Sequence, residues 1–433
     1  MTFTGTLNNT GQTLTLNGAG LVLLRGGLIT GGVIAGAAGA ILRVPDGFNG
    51  TLDGVTLGMD VAVDSSASLT VKNGLTMNNA KVTLNSTFNQ FAVFPAYIYF
   101  DGTQTITGTG EIVFGGNAQG RFYARGDGTQ VGAAVLTIGT QIIVRGVQSG
   151  IIEALSSFDR VINQGTIVAV VPNRTIALNN VTNQGSIAAE AGTVTWSNPQ
   201  PNTGTIRSGA GGLVAISGSF TISSNGAGSI DIGGTAASQF GRLTVTSPAT
   251  LDGTLNLPLV NGFSPAIGNS FQVMTFGSLT GQFATINGTA LGNGKQFSPA
   301  YSATNLTLNV TAAAPIPAML DSDGDGIPDA QELLAGTDPL DAASKLQMDA
   351  TRLQCRTAIR QRRGPHLRGG MLHRLEGRRV VHHSQQHSRH RRTHTIHRRN
   401  RCHPRPKVLL PTAGVAAIRS RGEFHFVLHV ARV

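Results

Sequence analysis

Most of the first 310 residues are short runs in which apolar and polar residues alternate, separated by Gly, Asn and Pro. Residues 166–171 and 193–196 are typical, because each run is too short for a helix and alternates with a period of two. That period is the pattern of a β-strand with one buried face. The sequence therefore predicts an all-β body built from many short strands.

Between residues 161 and 232 the runs share one repeated phrase. Asn-Gln-Gly-Thr-Ile at 163–167 returns as Asn-Gln-Gly-Ser-Ile at 183–187, as Asn-Thr-Gly-Thr-Ile at 202–206 and, more loosely, as Gly-Ser-Ile at 228–230. The spacings are 20, 19 and 24 residues. Gly and Asn tolerate positive φ and Ile favours the pleated surface of a sheet, so each phrase predicts a turn that leads into a strand.

A fixed period near 20 residues with strand chemistry is typical of a solenoid. One such rung cannot bury its apolar face alone, so successive rungs must stack about 4.8 Å apart and pair with each other. We therefore predict a parallel β-helix over residues 1–235. The repeated isoleucines should form one inward-facing column: Ile167, Ile187, Ile206 and Ile230.

Two further stretches carry a resemblance to a known class of proteins. Leu-Thr-Ile-Gly-Thr-Gln-Ile-Ile-Val-Arg-Gly at 136–146, together with the repeated phrases, resembles the repeat region of large bacterial surface and autotransporter-like β-helix proteins. Residues 240–308 are similar to the β-rich segment that closes such solenoids, which predicts a closing segment over residues 236–310. The resemblance implies secretion and exposure at the cell surface, and it implies no reaction.

The N-terminal residues enter strand-like sequence without the basic and apolar regions of a secretory signal. Because the sequence begins within a repeat, we expect a leader upstream of it and a protein that is extracellular or on the cell surface. Residues 26–42 form an uncharged run with GxxxG spacings, which leaves a membrane helix as an alternative. The run is short and rich in Gly, so stacked strands joined by Gly turns are the preferred interpretation.

A different chemistry follows residues 311–318, which have the Ala and Pro composition of a linker. Residues 321–332 match every fixed position of the calcium-loop pattern D-x-[DN]-x-[DN]-G-x5-E. Gly326 should make the sharp turn, and a helix over 329–335 that ends at Gly336 should carry its carboxylate inward. The predicted ligands are Asp321, Asp323, Asp325, the backbone carbonyl of Ile327, Asp329 and Glu332. The alternative is an acidic, solvated turn, in which these side chains would repel each other without a cation.

With the Gly-Thr-Asp-Pro sequence that starts at Gly336, this stretch resembles the bacterial thrombospondin type 3 repeat, here over residues 319–345. A single copy is present, and no helix of EF-hand length precedes Asp321, which argues against a calcium sensor. The resemblance implies a structural Ca²⁺ ion, to which Asp338 and Asp341 are further candidate ligands.

The composition changes after residue 351. Residues 352–433 hold 20 of the 33 Lys and Arg, 2 of the 22 Asp and Glu, all 11 His and both Cys, so residues 1–351 carry 13 basic against 20 acidic side chains, a net charge of −7. Such a composition cannot bury a core, and we predict a disordered tail over 346–433. An abrupt switch to Arg, His and Pro is what a GC-rich gene gives when it is read out of frame, and that is the preferred hypothesis. The alternatives are a nucleic-acid-binding arm and a metal site at His390, His394 and His397.

Catalysis is the rival class of function for the body, since some parallel β-helices cleave acidic polysaccharides. The densest acidic group is Asp46, Asp53, Asp60 and Asp64, and the only mixed group is Arg121, Arg125 and Asp127. Solvated turns explain both groups better, so no catalytic or cofactor-binding residue is predicted. The sequence therefore favours a non-enzymatic surface protein, a spacer or adhesin-like solenoid whose partners are calcium and cell-surface glycans or proteins, without nucleic acid and without a transmembrane segment. A polysaccharide lyase or hydrolase is the alternative.

Overall fold

The structure is a computed structural model that describes residues 1–16, 21–37, 39–313 and 320–344, together with the backbone of two short strands at 416–420 and 423–427. The chain divides into two units, Met1–Ile316 and Pro317–Val433. The first is the all-β body that the alternation predicts. The second contains the predicted calcium loop.

The first unit consists of short strands joined by tight turns. Its first part contains β1 (Thr2–Phe3), β2 (Thr6–Asn8), β3 (Thr13–Leu16), β4 (Leu21–Leu24), β5 (Leu28–Thr30), β6 (Val33–Gly36), β7 (Ile41–Val44), β8 (Asn49–Gly58), β9 (Asp60–Val63), β10 (Ser68–Phe88), β11 (Val93–Phe94), β12 (Tyr97–Asp101), β13 (Gln104–Gly116), β14 (Gly120–Arg125), β15 (Val135–Ile138), β16 (Ile142–Gly146), β17 (Gly150–Ala154) and β18 (Arg160–Asn163). Its second part contains β19 (Thr166–Ala169), β20 (Thr175–Asn179), β21 (Val181–Asn183), β22 (Ser186–Ala189), β23 (Thr193–Ser197), β24 (Thr205–Ser208), β25 (Leu213–Ser217), β26 (Phe220–Thr221), β27 (Ala227–Ile230), β28 (Arg242–Val245), β29 (Pro248–Leu251), β30 (Thr254–Asn256), β31 (Ser270–Thr275), β32 (Ser278–Gly281), β33 (Thr285–Asn287), β34 (Ala290–Gly292), β35 (Lys295–Tyr301) and β36 (Asn305–Ala312).

All of these strands except β11, β34, β35 and β36, which pair antiparallel, form three parallel ladders, to which each turn of the chain contributes in succession. The first ladder runs from β1 through β4, β7, β9, the second halves of β10 and β13, β16, β19, β22, β24, β27 and β30 to β33. The second runs from β2 through β5, the first halves of β8 and β10, β12, β14, β17, β20, β23 and β25 to β28 and β31. The third runs from β3 through β6, β8, β10, β13, β15 and β18 to β21, and resumes as β26, β29 and β32. This is a parallel β-helix, as the repeat predicted.

Aliphatic columns hold the rungs together, because alternate residues of each strand point inward. In the first ladder Ile167 lies opposite Ile187, and Ile187 lies opposite Ile206; all three are at most 1% exposed. The fourth predicted member is wrong, since Ile206 lies opposite Gly228, and Ile230 lies opposite Ser208 in the neighbouring inward column. The looser repeat therefore starts at Gly226, and a longer intervening turn shifts the phrase by two residues.

The asparagines of the repeated phrase are buried, although the sequence analysis placed them in turns. Asn163 donates from Nδ2 to Oδ1 of Asn183 at 2.8 Å, and Asn183 donates in the same way to Asn202 at 2.7 Å. All three side chains are 0% exposed, and none of the three residues has positive φ. The result is an amide ladder inside the corner between the third and first ladders, in which the Oδ1 atoms of Asn183 and Asn202 each accept a hydrogen bond while that of Asn163 has no donor.

The glycines that follow these asparagines are required by close approach of the backbones. A Cβ atom on Gly185 would collide with the carbonyl oxygen of Gly165, and one on Gly204 would collide with that of Gly185. Positive φ is not the reason at these positions. The phrase thus specifies how tightly two rungs stack.

Replacing Asn183 with Ala is expected to lower the free energy of unfolding by about 1–3 kcal/mol, since it leaves the buried Oδ1 of Asn202 without its donor. Urea unfolding followed by circular dichroism measures the loss. The matched control is Gln184→Ala, because Gln184 pairs with Gln164 in an exposed ladder at 3.1 Å and should change stability by less than about 0.5 kcal/mol. Equal losses for both variants would contradict a stabilising role for the buried ladder.

The parallel rungs continue past the predicted boundary at residue 235. β27 pairs with β30 and β30 with β33, all in parallel. In this last part of the unit β31 lies antiparallel against β36, and β36 also pairs antiparallel with β35. Ring contacts between Phe271 and the side chains of Phe240, Phe263 and Phe297 fill this end of the core. The closing segment is therefore continuous with the helix, and the predicted linker at 311–318 lies outside the described residues from residue 314 onward.

The run at residues 26–42 forms strands, as the preferred interpretation of its sequence predicted, and not a membrane helix. β5 and β6 lie within it, and Ile29 and Ile34 are 0% exposed inside the solenoid. Among the described residues, no helix has the length and apolar character needed to cross a membrane.

Most of the tail at 346–433, including His390, His394 and His397, lies outside the described residues. Within it, β37 (Ala416–Ser420) and β38 (Glu423–Val427) pair antiparallel, where the composition predicted disorder. Phe and polar residues alternate at 423–427, which is a strand pattern. The prediction of disorder used the average composition of the whole tail, which does not register such a short local pattern.

Candidate calcium site

The predicted loop lies in the second unit and leads into α1 (Asp329–Ala335), whose bounds match the prediction. Pro328 precedes the helix in an extended conformation, and Gly336 ends it with φ of 75° while donating its N–H to the carbonyl oxygen of Glu332. Gly326 has φ of 89°, which an L-residue rarely adopts. These positions fold the loop back so that its acidic residues approach each other.

Three carboxylates converge in this loop, those of Asp321, Asp323 and Asp325. One oxygen of each lies within 4.8 Å of the others. Asp321 accepts hydrogen bonds from the N–H groups of Gly324 at 2.8 Å and Gly326 at 2.9 Å. These backbone bonds hold the carboxylate in place at the centre of the turn.

Glu332 approaches the same cluster from α1 and is 0% exposed. Its Oε1 accepts a hydrogen bond from the hydroxyl of Thr337 at 3.3 Å, whereas its buried Oε2 has no hydrogen-bond donor. Oδ2 of Asp323 is likewise buried without a donor. Burial raises the pKa of Glu332, and the charges of Asp323 and Asp325 raise it further. The buried acceptors Oε2 of Glu332 and Oδ2 of Asp323 thus lie in a site that offers them no hydrogen-bond donor.

Asp329 was predicted as a ligand, but its carboxylate contacts the start of the loop. It accepts hydrogen bonds from the N–H and the hydroxyl of Ser322, both at 2.7 Å, and these bonds lower its pKa. Ser322 therefore fixes the carboxylate of Asp329. The N–H of Ile327 donates to Asp325 at 2.7 Å. Asp329 thus ties the two ends of the loop together, and its charge also raises the pKa of Glu332. Its role as a calcium ligand stays a prediction, as does that of the Ile327 carbonyl.

Calcium fits this donor set. Calcium prefers carboxylate and carbonyl oxygens as ligands. The buried oxygens of Asp323 and Glu332 lack hydrogen-bond donors, and the two carboxylates carry like charges. A cation is the group that satisfies both conditions, since it accepts lone pairs and cancels the repulsion. The converging carboxylates that would hold it are those of Asp321, Asp323, Asp325 and Glu332. Thr337 orients Glu332, a role that its position next to Gly336 did not reveal.

The other acidic residues singled out in the sequence do not converge. Asp64 pairs with Arg43 at 3.1 Å, and Asp53 accepts a hydrogen bond from Asn73 at 2.6 Å. Asp60 accepts from the backbone N–H of Lys81 at 2.9 Å, while Asp46 is exposed on a turn. Each of these three contacts joins residues 20 or 21 positions apart, on neighbouring rungs. They cross-link the solenoid.

The mixed group is also dispersed among separate contacts. Arg125 makes a two-pronged ion pair with Asp101 at 2.7 and 3.0 Å, and Arg121 lies on the same strand. Asp127 is in an exposed turn, where hydrogen bonds from Thr129 lower its pKa. A lowered pKa disfavours the protonated form that a general acid needs.

Comparison with known families finds a match on this loop. Residues 321–342 match the family model of the bacterial TSP3 repeat. The resemblance to that repeat noted in the sequence is thereby confirmed, whereas the resemblance to autotransporter-like proteins stays a prediction. A comparison with curated proteins finds no match for the chain. The match and the three converging aspartates indicate a calcium-binding structural module.

Proposed function

We propose that this chain is a non-enzymatic, extracellular surface protein in which a parallel β-helix displays a binding surface and a single calcium-binding repeat follows it. The observation that carries the calcium part is the buried Glu332, with one oxygen lacking a donor beside two like charges. Extracellular fluids hold enough calcium to fill a weak site of this kind, with a dissociation constant of about 10⁻⁴ to 10⁻³ M.

The ion's role in this proposal is structural. The helix that carries Glu332 has 7 residues, too short to act as the moving helix of a calcium sensor. Binding instead offsets the repulsion between Glu332 and the aspartates, so that α1 docks against the loop. The repeat then becomes a rigid element after the solenoid body.

The absence of a reaction is supported by how the charges of the solenoid are used. The ion pairs of the first unit join residues on neighbouring rungs, such as Arg145 with Glu111 at 2.6 Å and Arg207 with Asp231 at 2.6 Å. The carboxylates in these pairs are engaged by the guanidinium groups of neighbouring rungs, so they serve to cross-link the solenoid. Outward positions of β20 and β23 carry mainly Thr, Ser and Asn, a polar surface suited to binding surface glycans or proteins.

The test has two arms and uses the full chain. Purified protein is expected to release no product from pectin or alginate, with or without Ca²⁺, as judged by ultraviolet absorbance of unsaturated ends and by reducing-sugar assay. An added protease is expected to remove the protein from intact producing cells while a cytoplasmic enzyme of those cells persists. Product formation that is lost in Asp53→Asn or Asp127→Asn would replace this proposal with the polysaccharide lyase or hydrolase. Protection from the protease would contradict surface exposure.

A further inference from the structure

We propose that three outward-facing tyrosines on the second ladder form a binding platform for the pyranose rings of a neutral polysaccharide. The platform consists of Tyr97 and Tyr99 on β12 and Tyr123 on β14. This inference rests on the proposed surface function, because it names the ligand class that the solenoid body would bind.

The three rings form one compact group on the outside of the sheet. Tyr97 and Tyr99 are stacked, with ring centroids 5.7 Å apart and planes inclined by 4°. Tyr123 lies directly opposite Tyr99 on the next rung, 5.7 Å away, and is 6.4 Å from Tyr97. All three residues are half-buried, so part of each remains accessible to solvent.

Packing of the core does not require these tyrosines. The inward residues of the same strands, Phe100 and Phe122, are 0% exposed and pack against each other at 4.9 Å. The outward column that contains Tyr99 and Tyr123 carries Thr51 and Thr70 on the preceding rungs, which shows that small polar residues suffice for the strand there. Three of the chain's four tyrosines are nevertheless concentrated on these two rungs. Clusters of aromatic residues that core packing does not require are typical of interaction sites at a protein surface.

Charged groups around the rings are balanced. The guanidinium of Arg125 lies over the ring of Tyr99 at 4.3 Å and is held by its ion pair with Asp101. Arg121 lies on the Tyr123 side, and Glu153, the residue opposite Tyr123 on the following rung, accepts a hydrogen bond from Asn179 at 2.9 Å. Lys72 lies opposite Asp101 on the preceding rung, and Asp53 lies opposite Lys72 on the rung before that. Three positive and three negative side chains therefore surround the platform, with no net charge.

This combination selects a neutral glycan. The faces of aromatic rings are electronegative and attract the polarised C–H groups of a sugar ring, while guanidinium, carboxylate and phenol groups at the rim match its hydroxyls. Burial raises the pKa of Tyr99 and Tyr123, which keeps both hydroxyls protonated as donors. Nucleic acids and uronic-acid polymers would need a surplus of positive charge, which the balanced rim lacks. Equatorially linked β-glucans present the flattest C–H faces and are the expected class.

Native affinity electrophoresis of the full chain in gels containing hydroxyethylcellulose tests the platform. The unmodified protein should be retarded in proportion to polymer concentration. Tyr99→Thr and Tyr123→Thr should each weaken binding at least about tenfold, since an aromatic anchor is lost. Tyr99→Phe should stay within about threefold because the ring face is kept. Thr is the residue of the same column on earlier rungs, so these variants should fold, and circular dichroism checks that they do.

The control is Tyr301→Phe, since the Tyr301 hydroxyl accepts the N–H of Phe283 in the closing segment, away from the platform. It should bind as the unmodified chain does. An absence of retardation, or equal retardation of the Thr variants, would overturn the inference. Retardation by alginate or DNA instead of hydroxyethylcellulose would also overturn it, in favour of an anionic ligand. None of these results bears on calcium affinity or on protease accessibility, so the platform can fail while the proposed function stands.

Discussion

Replacing Ile187 with Asp is expected to destabilise the solenoid by more than about 4 kcal/mol. Ile187 is 0% exposed and lies between Ile167 and Ile206 in the inward column of the first ladder. A carboxylate at this position would be buried without a partner, and it would interrupt the apolar contact that joins three rungs. Urea unfolding of the full chain, followed by far-ultraviolet circular dichroism, gives the change in the free energy of unfolding.

Thr195→Asp is the matched control for that prediction. Thr195 is on β23, the next strand of the same rung, and its side chain points outward. Thr195→Asp should lower the free energy of unfolding by no more than about 1 kcal/mol, which is the range of measured strand propensities. Should Ile187→Asp fail to fold, Ile187→Ala takes its place, with an expected loss of about 2–5 kcal/mol. Equal effects at the inward and outward positions would contradict the stacked column.

Calcium binding to the full chain should be lost or weakened at least about tenfold in Asp321→Ala and in Glu332→Gln. Asp321 is at the centre of the turn, and Glu332 is the buried ligand whose Oε2 has no donor. The unmodified chain should bind Ca²⁺ in isothermal titration calorimetry with a dissociation constant of about 10⁻⁴ to 10⁻³ M. Mg²⁺ should bind much more weakly, because it requires a smaller octahedral site and releases its water reluctantly.

Glu332→Gln has a second expected effect, in the absence of Ca²⁺. The substitution removes the repulsion with Asp323 and Asp325 that raises the pKa of Glu332. The loop should therefore be more resistant to limited proteolysis without calcium than that of the unmodified chain, and calcium should protect it no further. If the loop were only a solvated acidic turn, Glu332→Gln would change neither its calcium affinity nor its resistance to proteolysis without calcium.

Ser322→Ala is the control for the calcium variants. Its hydroxyl donates to Asp329 and does not enter the group of converging carboxylates, so calcium affinity should change by less than about threefold. If calorimetry detects no calcium binding by the unmodified chain, or if Ser322→Ala weakens it as much as Glu332→Gln does, the calcium site is wrong.

The sequence by itself determined those features that depend on neighbouring residues. Alternation predicted the strands, the period near 20 residues predicted the parallel stacking, and the acidic pattern predicted the turn at Gly326 and the helix that ends at Gly336. Each of these follows from local backbone preferences or from a spacing that repeats along the chain.

Only the tertiary structure decided which residues of different rungs meet. Gly228 instead of Ile230 joins the isoleucine column because the length of the intervening turn sets the register, and a shift of two residues preserves the alternation that the sequence displays. The buried ladder of Asn163, Asn183 and Asn202 was hidden for the same reason, since an amide pairs with its equivalent only once the rungs stack. In the calcium loop, spacing predicted Asp329 as a ligand, and only the structure shows that its carboxylate accepts hydrogen bonds from Ser322 at the start of the loop. Local chemistry specifies the elements, and the partner of each side chain is set by the closure of the chain around the core.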